Sequence, residues 1–271
     1  MKYIPLLNKN FYFNTLKKFS PNNNNTCILS VVNFDFIKYF EVFCKSLLYH
    51  NKSINFDWII YYHDEYSKLS SEHIMLMKTY YRNLIFKKIN IENYENLIPL
   101  TPEHLVPALF KIEAFNLTKY EKVVCFDIDM LCTGNLEYLF KYNFGMALSL
   151  AGKNYDDKIK YSNRFKRFMS FNNGAVVLDK EFIKNDIYKN ILSFNSACPL
   201  ADQTLFDNYF RFVPKFVLPF EYNFNINFFY EKKNFHKIKI IHYAGDKPLN
   251  NIKNKKMIEW FNFCNQNNIS V

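Results

Sequence analysis

Lys122-Val123-Val124-Cys125-Phe126-Asp127-Ile128-Asp129-Met130-Leu131-Cys132-Thr133-Gly134 is the stretch from which the fold is read. Its apolar residues run together without alternating with polar ones. That is the pattern of a strand covered on both faces, as in the middle of a parallel sheet. The run stops abruptly at Asp127, and a second carboxylate follows at Asp129. In open α/β sheets, ligands bind beyond the carboxyl ends of the strands. A buried strand that delivers two acids at its end therefore predicts both a layered α/β fold and the edge that carries its chemistry.

The flanking sequence agrees. Cys27–Val32, Phe56–Tyr62 and Leu84–Ile89 read as strands before this one. Met146–Leu150, Gly174–Leu178, Phe212–Leu218 and Ile238–His242 read as strands after it. Between them, helical spacing covers Phe36–Tyr49, a stretch capped by Ser70 or Ser71 and running to Tyr81, Leu105–Leu117, Glu181–Ser193, Asp202–Tyr209 and Lys255–Asn262. Alternating strands and helices predict an α/β layered domain with a largely parallel sheet. Residues 1–25, ending in Pro21-Asn22-Asn23-Asn24-Asn25, read as an N-terminal extension, 26–250 as one domain, and 251–271 as a basic, aromatic C-terminal helix.

Composition narrows the function classes. The net charge is +10, which invites a nucleic-acid reading, but only 4 of the 35 basic residues are arginine. Arginine is the residue suited to bidentate phosphate and base contacts, and the lysines are scattered, so nucleic-acid binding is not expected. An anionic membrane surface or an acidic substrate suits the charge better. The abundance of Asn, Lys, Phe and Tyr beside only 5 glycines points to an AT-rich coding sequence. Glycines kept under that pressure are expected where no side chain fits. Cys27, Cys44, Cys125, Cys132, Cys198 and Cys264 form no CxxC pair and lie mostly in apolar runs, so reduced core thiols in a cytoplasmic protein are expected. No apolar stretch reaches the 18 residues of a membrane span, and the first 20 residues lack a signal-peptide pattern.

Two neighbouring acids are unfavourable unless a proton or cation neutralises them. A hard divalent metal gripping a diphosphate would do so; a surface acidic turn is the plainer alternative. Three weaker signals follow. Phe171-Asn172-Asn173-Gly174 puts amides before a buried strand. Asp202-Gln203 opens a helix, where Asp202 alone reads as an N-cap. His242-Tyr243-Ala244-Gly245-Asp246-Lys247-Pro248 follows a short apolar strand and offers an imidazole, a turn glycine and a compact positive charge.

Taken in order, Lys111, Asp127-Ile128-Asp129, Asn172-Asn173-Gly174, Asp202-Gln203 and His242…Gly245…Lys247-Pro248 resemble the retaining glycosyltransferases of family 8, which include glycogenins and bacterial lipopolysaccharide glucosyl- and galactosyltransferases. The similarity runs from about Cys27 to Lys247. It implies a GT-A type, Rossmann-like α/β/α domain with a mostly parallel mixed central sheet. It further implies that Asp127, Asp129 and His242 bind Mn²⁺ (or Mg²⁺) on a UDP-sugar diphosphate, with Gly245 and Lys247 on the same phosphates. Val32, Asn33 and Phe36 would line the uracil and ribose pocket, and Ile128 would also lie against the donor. Lys111 would reach the sugar or its phosphate. Asn172, Asn173, Gly174, Asp202 and Gln203 would surround the sugar, with Gln203, Asp202 and Asn173 nearest the reaction. The implied partners are a UDP-sugar donor and a glycan or glycolipid acceptor.

Four departures stand out: the His242 turn is one residue short, Leu249 replaces a Trp, Asn173 replaces the middle Ser of Asn-Ser-Gly, and Pro199 replaces an acid. With no self-glucosylating tyrosine assignable among the 20 tyrosines, a bacterial-type polysaccharide or lipopolysaccharide enzyme is expected over a glycogenin. The basic run Lys153, Lys158, Lys160, Arg164, Lys166 and Arg167 lies where an acceptor-side loop would be, and Trp260 with Phe261, Phe263 and nearby lysines suits an interfacial helix. Rival readings are a haloacid-dehalogenase-like phosphatase and an inactive nucleotide- or glycan-binding module.

Overall fold

The computed structural model describes residues 16–150, 171–229 and 237–270. Its main sheet has seven strands: β1 (Thr26–Val31), β2 (Asp57–Tyr62), β3 (Leu84–Lys88), β4 (Lys122–Phe126), β6 (Met146–Leu150), β7 (Phe171–Asp179) and β8 (Phe216–Val217). Their spatial order is β3-β2-β1-β4-β7-β6-β8. The first four are mutually parallel, β7 lies antiparallel to both β4 and β6, and β8 runs parallel to β6. A small sheet, β5 (Met130–Cys132), β10 (Ile240–His242) and β9 (Phe224–Asn225), abuts its ligand edge.

The period-2 geometry of a strand sends alternate residues to opposite faces. Val123 and Cys125 of β4 therefore enter one apolar core, with α3 (Asn185–Leu192), α4 (Asp202–Tyr209) and residues 110–117. Val124 and Phe126 enter the other, with α1 (Ile37–His50) and α2 (Ser71–Tyr80). Two cores on two faces of one sheet make the α/β/α sandwich, with β4 buried along its whole length. The mixed, mostly parallel sheet and the layering agree with the fold read from sequence. Ser70 caps α2 as expected, accepting from the His73 amide.

Several elements differ from expectation. Residues 105–117 form one α-turn, Val106–Leu109, then a 3₁₀ helix, Phe110–Asn116. Phe110 through Phe115 are buried consecutively, so this segment is packed on all sides and presents no single amphipathic stripe. The strand expected over 212–218 shrinks to two residues, because Pro214 has no N–H for the ladder and Phe212 is 82% exposed. Strands β5 and β9, at three and two residues, are too short to carry a periodic signal and are absent from the sequence reading. Residues 17–19 pair with 141–143 through the Phe19 and Asn143 amides, so this part of the N-terminal segment is docked against the domain.

α5 (Ile258–Gln266) buries Trp260 completely, 5.8 Å from Tyr39 between ring centroids, with Phe263 and Cys264 also inside. The aromatic residues that an interfacial helix would place in lipid, Trp260 and Phe263, are thus part of the protein core. No helix among the described residues is long and apolar enough to cross a membrane. All six cysteines are buried and free, as expected.

Candidate active site

Two antiparallel pairings assemble the site. Phe126 pairs with Ala175 across β4 and β7, and the Asp127 amide donates to the Gly174 carbonyl at 2.8 Å. The start of β7, Asn172-Asn173-Gly174, therefore lies beside the end of β4. The chain then crosses through Asp127-Ile128-Asp129 into β5, where Met130 pairs with His242 and the Tyr243 amide donates to the Asp129 carbonyl. Motifs far apart in the chain thus meet at one point, beyond the carboxyl end of β4.

Among the described residues, Asp127, Asp129 and His242 form a group whose ligand atoms all lie within 4.8 Å of one another. The oxygens divide into two sets. Asp127 Oδ2 and Asp129 Oδ1 face His242 Nε2, at 3.6 and 3.4 Å. The outer oxygens are held by lysines: Asp127 Oδ1 by Lys111 at 2.6 Å, and Asp129 Oδ2 by Lys247. Two carboxylate oxygens and one imidazole nitrogen are left converging, a donor set able to hold a divalent metal ion. Burial alone would raise the Asp129 pKa, but His242 and Lys247 outweigh it and hold the carboxyl far below its ordinary value.

Neighbouring amides set the tautomer of His242. Asn223 Nδ2 donates to the Asn172 carbonyl at 3.2 Å and to Asn172 Oδ1 at 2.7 Å, so its Oδ1 is the atom 2.8 Å from His242 Nδ1. A carbonyl oxygen can only accept, so His242 carries its proton on Nδ1. Nε2 is thereby the ring nitrogen turned toward the two carboxylates, the one a metal would take. Asn172 Oδ1 is itself anchored by the Gly174 amide at 3.1 Å. A Cβ on Gly174 would stand 2.5 Å from His242 Nδ1 and 2.7 Å from Met130 Cε, so only glycine lets β7 approach the ring. Sequence reasoning misses Asn223, which follows a short 3₁₀ turn and belongs to no motif.

On the opposite side, Lys111 Nζ lies 3.2 Å from Asp202 Oδ2 and donates to the Asn173 carbonyl at 3.0 Å. Burial disfavours its charge, but Asp127 and Asp202 prevail and raise its pKa. Burial likewise raises the Asp202 pKa, against Lys111 and with Asp127. Asp202 is not an N-cap. Ala201 holds that position, and the carboxylate turns inward to Lys111 instead of to the helix amides. Ala201 has φ 47° and ψ −124°, a sparsely populated conformation for a residue with a Cβ. The Asn173 side-chain amide is buried and makes no hydrogen bond of full geometry, yet stands near enough to Asp202 to favour its charged form. Gln203 is half-buried in the first turn of α4.

The remaining residues group by position. Phe36 lies with Lys247 Nζ 5.9 Å from its ring centroid, which brings the predicted base-stacking residue beside Asp129's partner. Asn33 caps the turn that leads to Phe36, accepting from its amide, and Val32 is buried in the core. Ile128 is 5% exposed and belongs to the core, so it can meet a ligand only through its backbone. Gly245 adopts φ +91°, which a Cβ would strain. Lys247 also donates to the Tyr243 carbonyl at 3.1 Å. The basic run from Lys153 to Arg167 lies outside the described residues.

Comparisons with known proteins agree with this geometry. The family model "Glycosyl transferase family 8" matches residues 27–252. Glycosyltransferase GlyF of Streptococcus pneumoniae is 25% identical over 181 residues, 63% of this chain and 42% of that one. The uncharacterized protein R707 of Acanthamoeba polyphaga mimivirus is 26% identical over 209 residues, 70% of this chain and 71% of that one. Among solved structures, an active-site mutant of LgtC superposes with a TM-score of 0.66 at 14% identity, covering 89% of this chain and 95% of that chain. GlyE of S. pneumoniae gives 0.62 at 18%, covering 88% and 60%. These two structures share a GT-A glycosyltransferase fold with this chain. The family match runs unbroken from β1 past Lys247, through every motif at the site, and on that evidence the chain belongs to glycosyl transferase family 8.

Proposed function

We propose that the protein transfers a hexose, glucose or galactose, from a UDP-sugar to a glycan or glycolipid acceptor with retention of configuration, in the synthesis of a surface polysaccharide or lipopolysaccharide. The observation that carries this is the convergence of Asp127 Oδ2, Asp129 Oδ1 and His242 Nε2 within a family 8 fold, with Lys247 beside them. Galactosyltransferase LgtC, a structural neighbour at 17% identity, was crystallised with donor and acceptor sugar analogues, which supports a two-substrate reading.

Breaking the sugar–phosphate bond develops positive charge on the sugar and negative charge on the departing UDP. Held by Asp127, Asp129 and His242, Mn²⁺ or Mg²⁺ would supply Lewis-acid stabilisation of that diphosphate. Lys247 spends two of its three donors on Asp129 and the Tyr243 carbonyl, leaving one for a phosphate oxygen. Phe36 offers its ring to the uracil, with Val32 and Asn33 shaping the pocket floor. Asp202, Asn173 and Gln203 border the sugar. An amide is a poor nucleophile, so Gln203 suits electrostatic support of an oxocarbenium-like centre while the acceptor attacks on the leaving-group side. The LgtC mutant carries glutamate in place of an active-site glutamine, and Gln203 is the candidate here for that place.

The test is UDP release from a panel of UDP-sugars, with Mn²⁺ and with EDTA. One donor should be turned over only with metal, and Asp129→Ala should lower the rate about 100-fold or more. Release from no sugar nucleotide would favour an inactive binding module, and phosphate release from simple monoesters a phosphatase.

A further inference from the structure

We infer that Asn227, just after β9, is a positioning residue for the diphosphate: it fixes the peptide unit that presents the Gly245 amide. This rests on the UDP-sugar reading proposed above. The turn from Tyr243 to Leu249 is secured at both ends. The Tyr243 amide donates to the Asp129 carbonyl at 2.9 Å, and the Leu249 amide donates to Tyr39 Oη at 3.3 Å. Between these ties the chain passes through Gly245 at φ +91°. There Asn227 Nδ2 donates to the Ala244 carbonyl at 2.6 Å.

The Ala244 carbonyl and the Gly245 N–H belong to one planar trans peptide, so they point in opposite directions. Anchoring the carbonyl to Asn227 therefore aims the N–H away from Asn227. That N–H donates to nothing among the described residues. A backbone donor stays so only beside solvent or a ligand. Two residues on, Lys247 reaches Asp129 in the cluster of carboxylates and imidazole. Backbone N–H groups held in a fixed turn bind anions, and an ammonium in the same turn adds charge. Asn227 is itself held on both sides. Its amide donates to Asn225 Oδ1 at 3.1 Å, and its carbonyl accepts from Lys256 Nζ at 3.2 Å. Stability does not explain the side chain. Its Oδ1 is buried and accepts no hydrogen bond, a cost that an apolar residue of similar size would avoid. The bond its Nδ2 makes is to the turn that carries Gly245 and Lys247.

The experiment compares UDP, uridine and Mn²⁺ binding in the wild-type chain and in Asn227→Leu, by titration calorimetry and, for weakly bound uridine, by ligand-observed NMR. UDP affinity, measured with Mn²⁺, should fall about 10-fold, the worth of one hydrogen bond to a charged group. Uridine affinity, Mn²⁺ affinity and the melting temperature should hold. Gly245→Ala should also weaken UDP. Adding Asn227→Leu to it should change UDP affinity by less than about twofold, because both substitutions act on one amide. Unchanged UDP affinity in Asn227→Leu, equal losses of UDP and uridine, or losses that multiply in the double variant overturn the assignment. If Asn227→Leu does not fold, Asn227→Ala is read in the same way; failure of both to fold makes Asn227 structural and overturns the assignment equally. A wild-type chain that binds UDP no better than uridine would instead refute the UDP-sugar reading itself.

Discussion

At the scale of single residues, the site depends on how a few atoms are oriented. His242 is useful as a ligand only while its proton stays on Nδ1, and Asn223 Oδ1 keeps it there. Asn223→Ala should therefore weaken Mn²⁺ binding about 10–100-fold while the chain keeps its fold, since outer partners of metal-binding histidines carry that much affinity. Mn²⁺ titration calorimetry beside a thermal melt would check both halves; unchanged affinity would mean that the carboxylates alone orient the ring. Ala201 belongs at this scale too. Its positive φ turns Asp202 inward, away from the capping role that an Asp at a helix start ordinarily takes.

At the scale of elements, β4 is the beam on which the rest is mounted. Its first residue, Lys122, is fully buried and paired with Asp179 at the end of β7, and it also donates to the Tyr142 carbonyl at 2.8 Å. This pair closes the far end of the β4–β7 ladder whose near end sets Asp127 against Gly174. Lys122→Met would leave Asp179 charged and unpaired, at a cost of about 3–5 kcal/mol. Urea denaturation should report a lower midpoint with an unchanged slope. Because Asp179 also accepts from the Phe144 and Gly145 amides, the loosening should spread to the start of β6.

For the whole molecule, the two cores leave little reactive surface among the thiols. Burial pushes Cys44, Cys125, Cys132 and Cys264 up to about 12, and raises Cys27 and Cys198 as well. Only the thiolate is nucleophilic. Ellman's reagent at pH 8 should therefore find fewer than one reactive thiol per native chain and all six after unfolding in guanidinium. A rapidly reacting thiol in the native protein would contradict the packing described. The same closure explains α5: Trp260 seals a third apolar cluster with Tyr39 and Val42 from α1, so the basic C-terminal segment presents lysines while its aromatics face inward.

Much of this was legible in the chain alone. The unbroken apolar run ending at Asp127 predicted a buried central strand and the edge where ligands bind, and the order of five short motifs predicted the family. Strand and helix periodicity placed most long elements within a few residues, because burying one face imposes a repeat on the sequence. What has no repeat stayed hidden: the three- and two-residue strands β5 and β9, and Asn223; the segment that carries Lys111 was legible as helical but not as 3₁₀. Only the tertiary structure decided how the motifs meet, through the β4–β7 and β5–β10 registers. It also decided which oxygen of each carboxylate faces His242 and which is held by a lysine. Those are outcomes of packing between segments far apart in the chain, and no local pattern of residues encodes them.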